Sequence, residues 1–181
     1  MDAKPPLGTT DHFLTVEEVR RHLDYDPETG RLSWKEPTAS WCRAGDEAGG
    51  INAEKGYRMV TIKGHIHSAG RLIWLWVTGA WPAGEVDHKN RVRHDNRWSN
   101  LRDASKGQNQ ANSSLRKDST TGRKGVSHAV CHGKRNGHFM AYIQVNGRQR
   151  YLGVHRTFEA ACAARERAEI ELQGEFRCQE F

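Results

Sequence analysis

Hydrophobic positions fall along this chain in short bursts, and their spacing changes from one burst to the next. Val16, Val19 and Leu23 recur at helical intervals behind Thr15-Val-Glu-Glu18, which has the form of a reciprocal N-terminal capping box. A short helix is therefore expected over about 15–24. Asp26-Pro-Glu-Thr-Gly30 reads as a turn, and Arg31-Leu-Ser-Trp-Lys35 alternates like a strand. After a glycine-rich loop from Ala44 to Gly50, Tyr57–Lys63 alternates again, and Gly64 turns it into a second strand around His65–Ser68. Arg71-Leu-Ile-Trp-Leu-Trp-Val77 is a dense apolar run, read as a buried helix rather than a strand, bounded by Gly70 and Gly79 with Pro82 beyond. The polar, proline-bearing residues 1–12 are expected to form a loose tail.

Beyond Pro82 the pattern is that of a hairpin and a helix. Val86-Asp-His-Lys89 and Asn100-Leu-Arg-Asp-Ala104 are strand candidates separated by a loop rich in Asn, Asp and Arg. Ser105-Lys-Gly-Gln108 repeats the capping-box form, so a helix should begin at Lys106 with Asn109 in its first turn. The segment 113–121, polar and without periodicity, is expected to be a linker. Three strand-like segments follow, Gly125–Val130, His138–Val145 and Gln149–Val154, separated by turns at Gly133–Gly137 and Asn146-Gly147. Thr157-Phe-Glu-Ala160 then opens an alanine-rich helix that runs to about Leu172 and closes at Gly174. No internal repeat is visible. The expected fold is α+β: a ββα module followed by a small three-stranded antiparallel sheet packed on one helix. Its divisions are a first domain over 1–112 (support region 12–83, ββα motif 84–112), a linker over 113–121 and a second domain over 122–181.

Composition narrows the partner. The chain has 181 residues, 36% of them hydrophobic, and a mean hydropathy of −0.84, yet six Trp, five Phe and four Tyr argue for folded cores rather than disorder. No run of about eighteen apolar residues occurs, and the first twenty residues lack an apolar signal stretch, so a cytoplasmic protein with no membrane partner is expected. Cys42, Cys131, Cys162 and Cys178 form no C-x-x-C pair, so reduced thiols and no zinc are expected. Formal net charge is +6, but residues 89–156 hold fifteen Lys and Arg against three Asp and Glu, a local +12 that leaves −6 for the rest. A basic stretch beside acidic flanks fits a polyanion touching one part of the molecule.

The chemistry is concentrated in 84–112. Hydrolysis of a phosphodiester needs a nucleophilic water, a base to deprotonate it and charge neutralisation at the phosphate. His88 offers a base whose ordinary pKa lies near about 6.5. Asp87 and Asn109 offer hard oxygen donors that suit Mg²⁺, with Mn²⁺ as the alternative, in a shell completed by water and phosphate. Adjacent strand residues point to opposite faces, so Asp87 and His88 serving one site requires a twist, bend or bulge at the hairpin end. Asn96, Asn100 and Asn112 are read as residues that rigidify their loops. No small-molecule cofactor is expected.

Residues 84–112, GEVDHKNRVRHDNRWSNLRDASKGQNQAN, resemble the HNH nuclease motif in the form common among phage-encoded endonucleases. The resemblance implies Asp87 as metal ligand, His88 as general base, Asn100 as the asparagine that holds the loop so that the histidine is presented, and Asn109 as second metal ligand. The stretch from Gly56 through Pro82 resembles the segment that leads into this motif. There is one departure: such proteins usually carry a histidine directly before the arginine of R-L-I-W, and here that position is Gly70, with His65 and His67 nearby.

Residues 122–176 resemble the apetala-two (ethylene-response-factor) type of DNA-binding domain, through Gly125-Val126, Ala141-Tyr-Ile143, Leu152-Gly153, Thr157–Ala160 and Leu172–Phe176. In that family the sheet enters the major groove and the helix braces its other face. Val126, Ala141, Ile143 and Leu152 should then face the helix, and Ser127, Tyr142, Gln144, Gln149 and Tyr151 should face DNA. Lys124, Lys134, Arg135 and Arg148, with Arg93 and Arg97 of the hairpin loop, should neutralise phosphates. The departure here is Ser127, where arginine is usual. Together the two resemblances imply a free-standing homing-type endonuclease acting on double-stranded DNA, leaving 5′-phosphate and 3′-hydroxyl ends, and nicking unless it dimerises. A DNA-binding regulator with an inactive nuclease module is the alternative, an RNA nuclease a weaker third, and the sequence leaves monomer and homodimer both open.

Overall fold

The computed structural model describes residues 14–36, 42–115 and 118–178; the expected tail over 1–12 lies outside them. They form a mixed α/β chain with four α-helices and several small antiparallel sheets. Two compact units divide between Asp103 and Ala104.

In the first unit, helix α1 (Val16–His22) opens on the capping box: Glu18 N–H donates to Thr15 Oγ1 at 3.3 Å and Thr15 N–H donates to Glu18 Oε2 at 3.0 Å. The helix stops at His22, short of the expected 24, because Leu23 is already extended (φ −122°) and begins β1 (Leu23–Asp26). Leu23 and Tyr25 are buried while Asp24 and Asp26 are exposed, an alternation too short to be separated from the preceding helical spacing. β1 pairs antiparallel with β2 (Arg31–Trp34) across a turn in which the Asp26 carboxylate accepts from Glu28 N–H and from the Thr29 hydroxyl. β3 (Gly50–Ile51), β4 (Arg58–Ile62) and β5 (His65–Ser68) form a second sheet, and the two residues between β4 and β5, Lys63 and Gly64, both have positive φ. α2 (Ala69–Thr78) ends at Gly79 with φ 80°. Leu72 and Ile73 of α2 are fully buried with Val19, Leu23, Leu32 and Val60. At roughly 1.5–3 kcal/mol for each such side chain, this core fixes α2 as the floor on which the next strand lies. That strand is β6 (Glu85–His88), paired with β7 (Leu101–Ala104).

The second unit begins with α3 (Lys106–Asn112), whose Ser105–Gln108 capping box is again reciprocal (2.8 and 3.3 Å). β8 (Val126–Cys131), β9 (Lys134–Val145) and β10 (Arg148–His155) make an antiparallel sheet in the order β10-β9-β8. β9 starts at Lys134, four residues before the sequence pattern suggests. The reversal takes only His132-Gly133, both at positive φ, and a register irregularity between His128 and Val130 absorbs Asn136-Gly137. α4 (Phe158–Gln173) is capped by Thr157 and packs on the sheet through small residues: Ala141 and Ala161 are fully buried, flanked by Phe139 and Phe158 with ring centroids 5.5 Å apart. Beside them Arg165 and Glu169 are buried in a 2.8 Å ion pair, which Arg123 extends at 2.9 Å. Among the described residues no helix is long and apolar enough to cross a membrane.

Candidate active site

Both residues of the Asp87-His88 pair are buried, each 4% exposed. Lys89 N–H donates to Asn100 O at 2.9 Å, and the same register sets Asp87 opposite Arg102. Arg102 donates from Nε and Nη2 to Asp87 Oδ2, both at 2.8 Å, inside a nearly buried pair. Strand alternation holds within β6. Val86 and His88 lie against α2: a Cβ placed on Gly70 would meet Val86 Cγ1 at 3.4 Å, Asn96 Oδ1 at 3.5 Å and His88 Cε1 at 3.7 Å. Asp87 turns instead to Arg102. The chain bends immediately after the strand, where Arg91 N–H donates to His88 O at 2.9 Å. Glycine at position 70 thus leaves room for no more than a methyl beside the imidazole, and of the two nearby histidines His67 is buried against Trp81 while His65 is exposed.

The His88 ring contacts Asn96: Nε2 and Asn96 Oδ1 are 3.1 Å apart. Burial pushes the His88 pKa below its ordinary value, partly offset by Asn96 and by the Asp87 charge, so the ring is held neutral. Tyr57 lies over the same ring at 5.8 Å, and the Arg93 guanidinium lies over Tyr57 at 5.0 Å while donating to Lys55 O. Asn100, 7% exposed, spans the loop. Its Nδ2 donates to Asp95 O at 2.7 Å and its Oδ1 accepts from Asn90 N–H at 3.0 Å. One side chain thereby ties both ends of the segment that carries Arg91, Arg93 and Asp95. Asn90 Nδ2 donates to Asp95 as well, and the Arg97 guanidinium grips both Asp95 oxygens, holding that carboxyl down at about 2.

Asn109 sits half-buried on α3 in the second unit, one residue before the helix's last turn, and its N–H donates to Ser105 O. Asn112, on the same helix, is buried. Lys124 donates from Nζ to the α3 carbonyls of Gln110 and Ala111 at 2.9 Å, and to Ser113 O at 2.8 Å, so its ammonium serves the end of α3 rather than standing ready for a phosphate. A carboxylate and an amide oxygen are donors that suit a hard divalent cation. Among the described residues no group of three or more His, Cys, Asp or Glu is placed to hold a metal ion.

On the second unit's sheet, register pairs Tyr151 with Tyr142, Gln149 with Gln144 and Ser127 with Met140, on the face away from Ala141 and Ile143. Tyr151, Gln144 and Gln149 are exposed; Tyr142 and Ser127 are half-buried and line a cleft of about 530 Å³ with Gln110, Lys124 and Arg165. Lys134, Arg135 and Arg148 are exposed at the strand ends; Arg150, paired with Ile143 on the other face, is exposed as well. Arg97 is committed to Asp95 but remains half-exposed.

The site residues that sequence reasoning passed over are Arg102, Asn96 as a partner of the base, and Tyr57. Arg102 alone carried a usable signal, a cation in the second strand of a hairpin at the register of an acid in the first. Residues 68–111 match the family model described as HNH endonuclease, a segment that contains Asp87, His88, Asn96, Asn100, Arg102 and Asn109. At family level this supports a DNA-cleaving HNH nuclease. No curated protein matches the chain, and no solved structure does.

Proposed function

We propose that the protein is a metal-dependent endonuclease that hydrolyses phosphodiester bonds in duplex DNA, with His88 as general base and Asp87 and Asn109 as the protein ligands of a Mg²⁺-type ion. The observation that carries the reading is the state of His88: buried, kept neutral and fixed by a polar partner at the end of a strand inside the HNH-matching segment. A neutral, oriented imidazole is what proton abstraction from water requires. The ion, when bound, supplies charge neutralisation at the phosphate. Asn100 keeps the loop that follows His88 closed. Arg102 neutralises and orients Asp87. The ββα arrangement, formed by β6, β7 and α3, belongs to this proposal.

In the same reading, residues 122–181 form an apetala-two-like DNA-binding domain that follows a linker over 113–121. Its face with Tyr142, Gln144, Gln149 and Tyr151 lies on duplex DNA, while Lys134, Arg135 and Arg148 neutralise phosphates and Arg93 does so from the hairpin loop. The protein is then a nicking enzyme of the phage homing type. The test is incubation of the protein and its His88→Ala variant with supercoiled DNA, with Mg²⁺ and with EDTA. Nicking that needs both the metal and His88 is expected. Equal binding without cleavage by either protein would instead favour a DNA-binding regulator.

A further inference from the structure

Asn96 is 2% exposed and held on every side. Its main-chain carbonyl accepts from the Tyr25 hydroxyl at 2.8 Å, and its side-chain Nδ2 donates to His94 O at 3.3 Å. Gly30 of the β1–β2 turn abuts it so closely that a Cβ there would lie 2.5 Å from Asn96 C, and a Cβ on Gly70 would lie 3.5 Å from Asn96 Oδ1. The bond to His94 decides which way the amide points. A carbonyl can only accept, so the amide nitrogen must face His94 and the amide oxygen must face the His88 ring. That oxygen cannot donate. The Nε2 atom 3.1 Å away must therefore carry the hydrogen of this bond.

We infer that Asn96 is a positioning residue for His88, locking the imidazole in the tautomer protonated on Nε2 so that Nδ1 is the ring atom that accepts a proton. The inference rests on the proposed role of His88 for its catalytic meaning, but the tautomer itself is a property of the resting chain. The proton balance is simple. Nδ1 takes one proton from the attacking water, the ring becomes imidazolium, and its Nε2–H bond to Asn96 Oδ1 becomes charge-assisted and therefore stronger. Asn96 thus acts on the base from behind, as the orienting member of a base–orienter pair. The hydroxyl of Tyr25 and the bare backbone of Gly30 give the N-terminal region a stake in the same bond.

The first measurement is a long-range proton–nitrogen correlation spectrum of the full ¹⁵N-labelled chain, at a pH where the ring is neutral, with His88 assigned by its loss in His88→Gln. A pyrrole-like Nε2 and a pyridine-like Nδ1 are expected; a proton on Nδ1 would overturn the inference. Asn96→Asp keeps the acceptor and should keep this single tautomer. Asn96→Ala should give a mixture, with kcat on plasmid DNA down by about 10- to 100-fold and KM little changed, inside the roughly 10²–10⁴-fold that a general base contributes. If Asn96→Ala does not fold, Asn96→Ser, too short to reach the ring, takes its place. A single Nε2–H tautomer in the alanine or serine variant would overturn the role of Asn96. The spectrum does not depend on cleavage, so a chain that cuts no DNA would sink the nuclease reading while the spectrum alone decides this one.

Discussion

Replacing Arg102 with methionine removes a two-pronged donor from a carboxylate that is 4% exposed and keeps a side chain of similar reach in the space. Losing one partner of a buried ion pair typically costs about 3–5 kcal/mol. Arg102→Met should therefore lose about 3–5 kcal/mol at pH 7. Urea unfolding of wild type and variant measures this directly. A loss below about 1 kcal/mol, no more than an exposed ion pair is worth, would refute the account of Arg102 as the buried counter-charge of Asp87.

Other consequences can be checked as readily. In Gly30→Ala the new methyl would meet Arg97 N at 2.4 Å and Asn96 C at 2.5 Å, in a backbone with φ +76°; left-handed strain of about 1–2 kcal/mol plus the displacement should lower the melting temperature by several degrees and impair cleavage, and a variant as stable and active as wild type would refute the close packing. Lys124→Met should destabilise the second unit by about 1–2 kcal/mol, with faster amide exchange in α3 than in β8–β10; uniform exchange would count against the role of Lys124 at the end of α3. The pKa of His88 is lowered by burial, so between that value and about 6.5 the unfolded chain holds more protons than the folded one. The resulting stability is complete above about 6.5 and is lost as pH falls through that window, within which the folded-state base stays neutral. The acid limb of kcat/KM should therefore have its midpoint below 6.5, and a midpoint at or above that value would argue against a buried base.

What the sequence revealed was local. Both capping boxes are reciprocal in the structure, α2 lies where its apolar run and flanking glycines put it, and the Asn146-Gly147 turn joins Val145 to Arg148. Each is written within a few neighbouring residues. β1 was hidden because Leu23 satisfies both the helical spacing of α1 and the alternation of a strand, and only its pairing with Trp34 decides between them. The roles of Asn96 and Arg102 were hidden for a related reason. An asparagine in a loop satisfies its own backbone as readily as a distant ring, and an arginine on a strand is an ordinary surface residue until register sets an acid across from it. Tyr25 and Gly30 reach Asn96 across more than sixty positions of chain, a separation no periodicity records.

The grip of Lys124 on α3 has a bearing on when the chain becomes competent. A helix of seven residues is too short to hold its shape unaided, and the partners of α3 within its unit are β9 and the turn that follows α4. Those partners lie 22 or more residues further along the chain, since β9 begins at Lys134 and α3 ends at Asn112. At roughly 5–20 residues per second of synthesis, the helix that bears Asn109 waits seconds after its own translation before either of these partners braces it. A nascent or prematurely ended chain would thus carry a finished Asp87–His88 hairpin and an unformed α3, and an activity that needs Asn109, as proposed above, would switch on only once the last helix had been made.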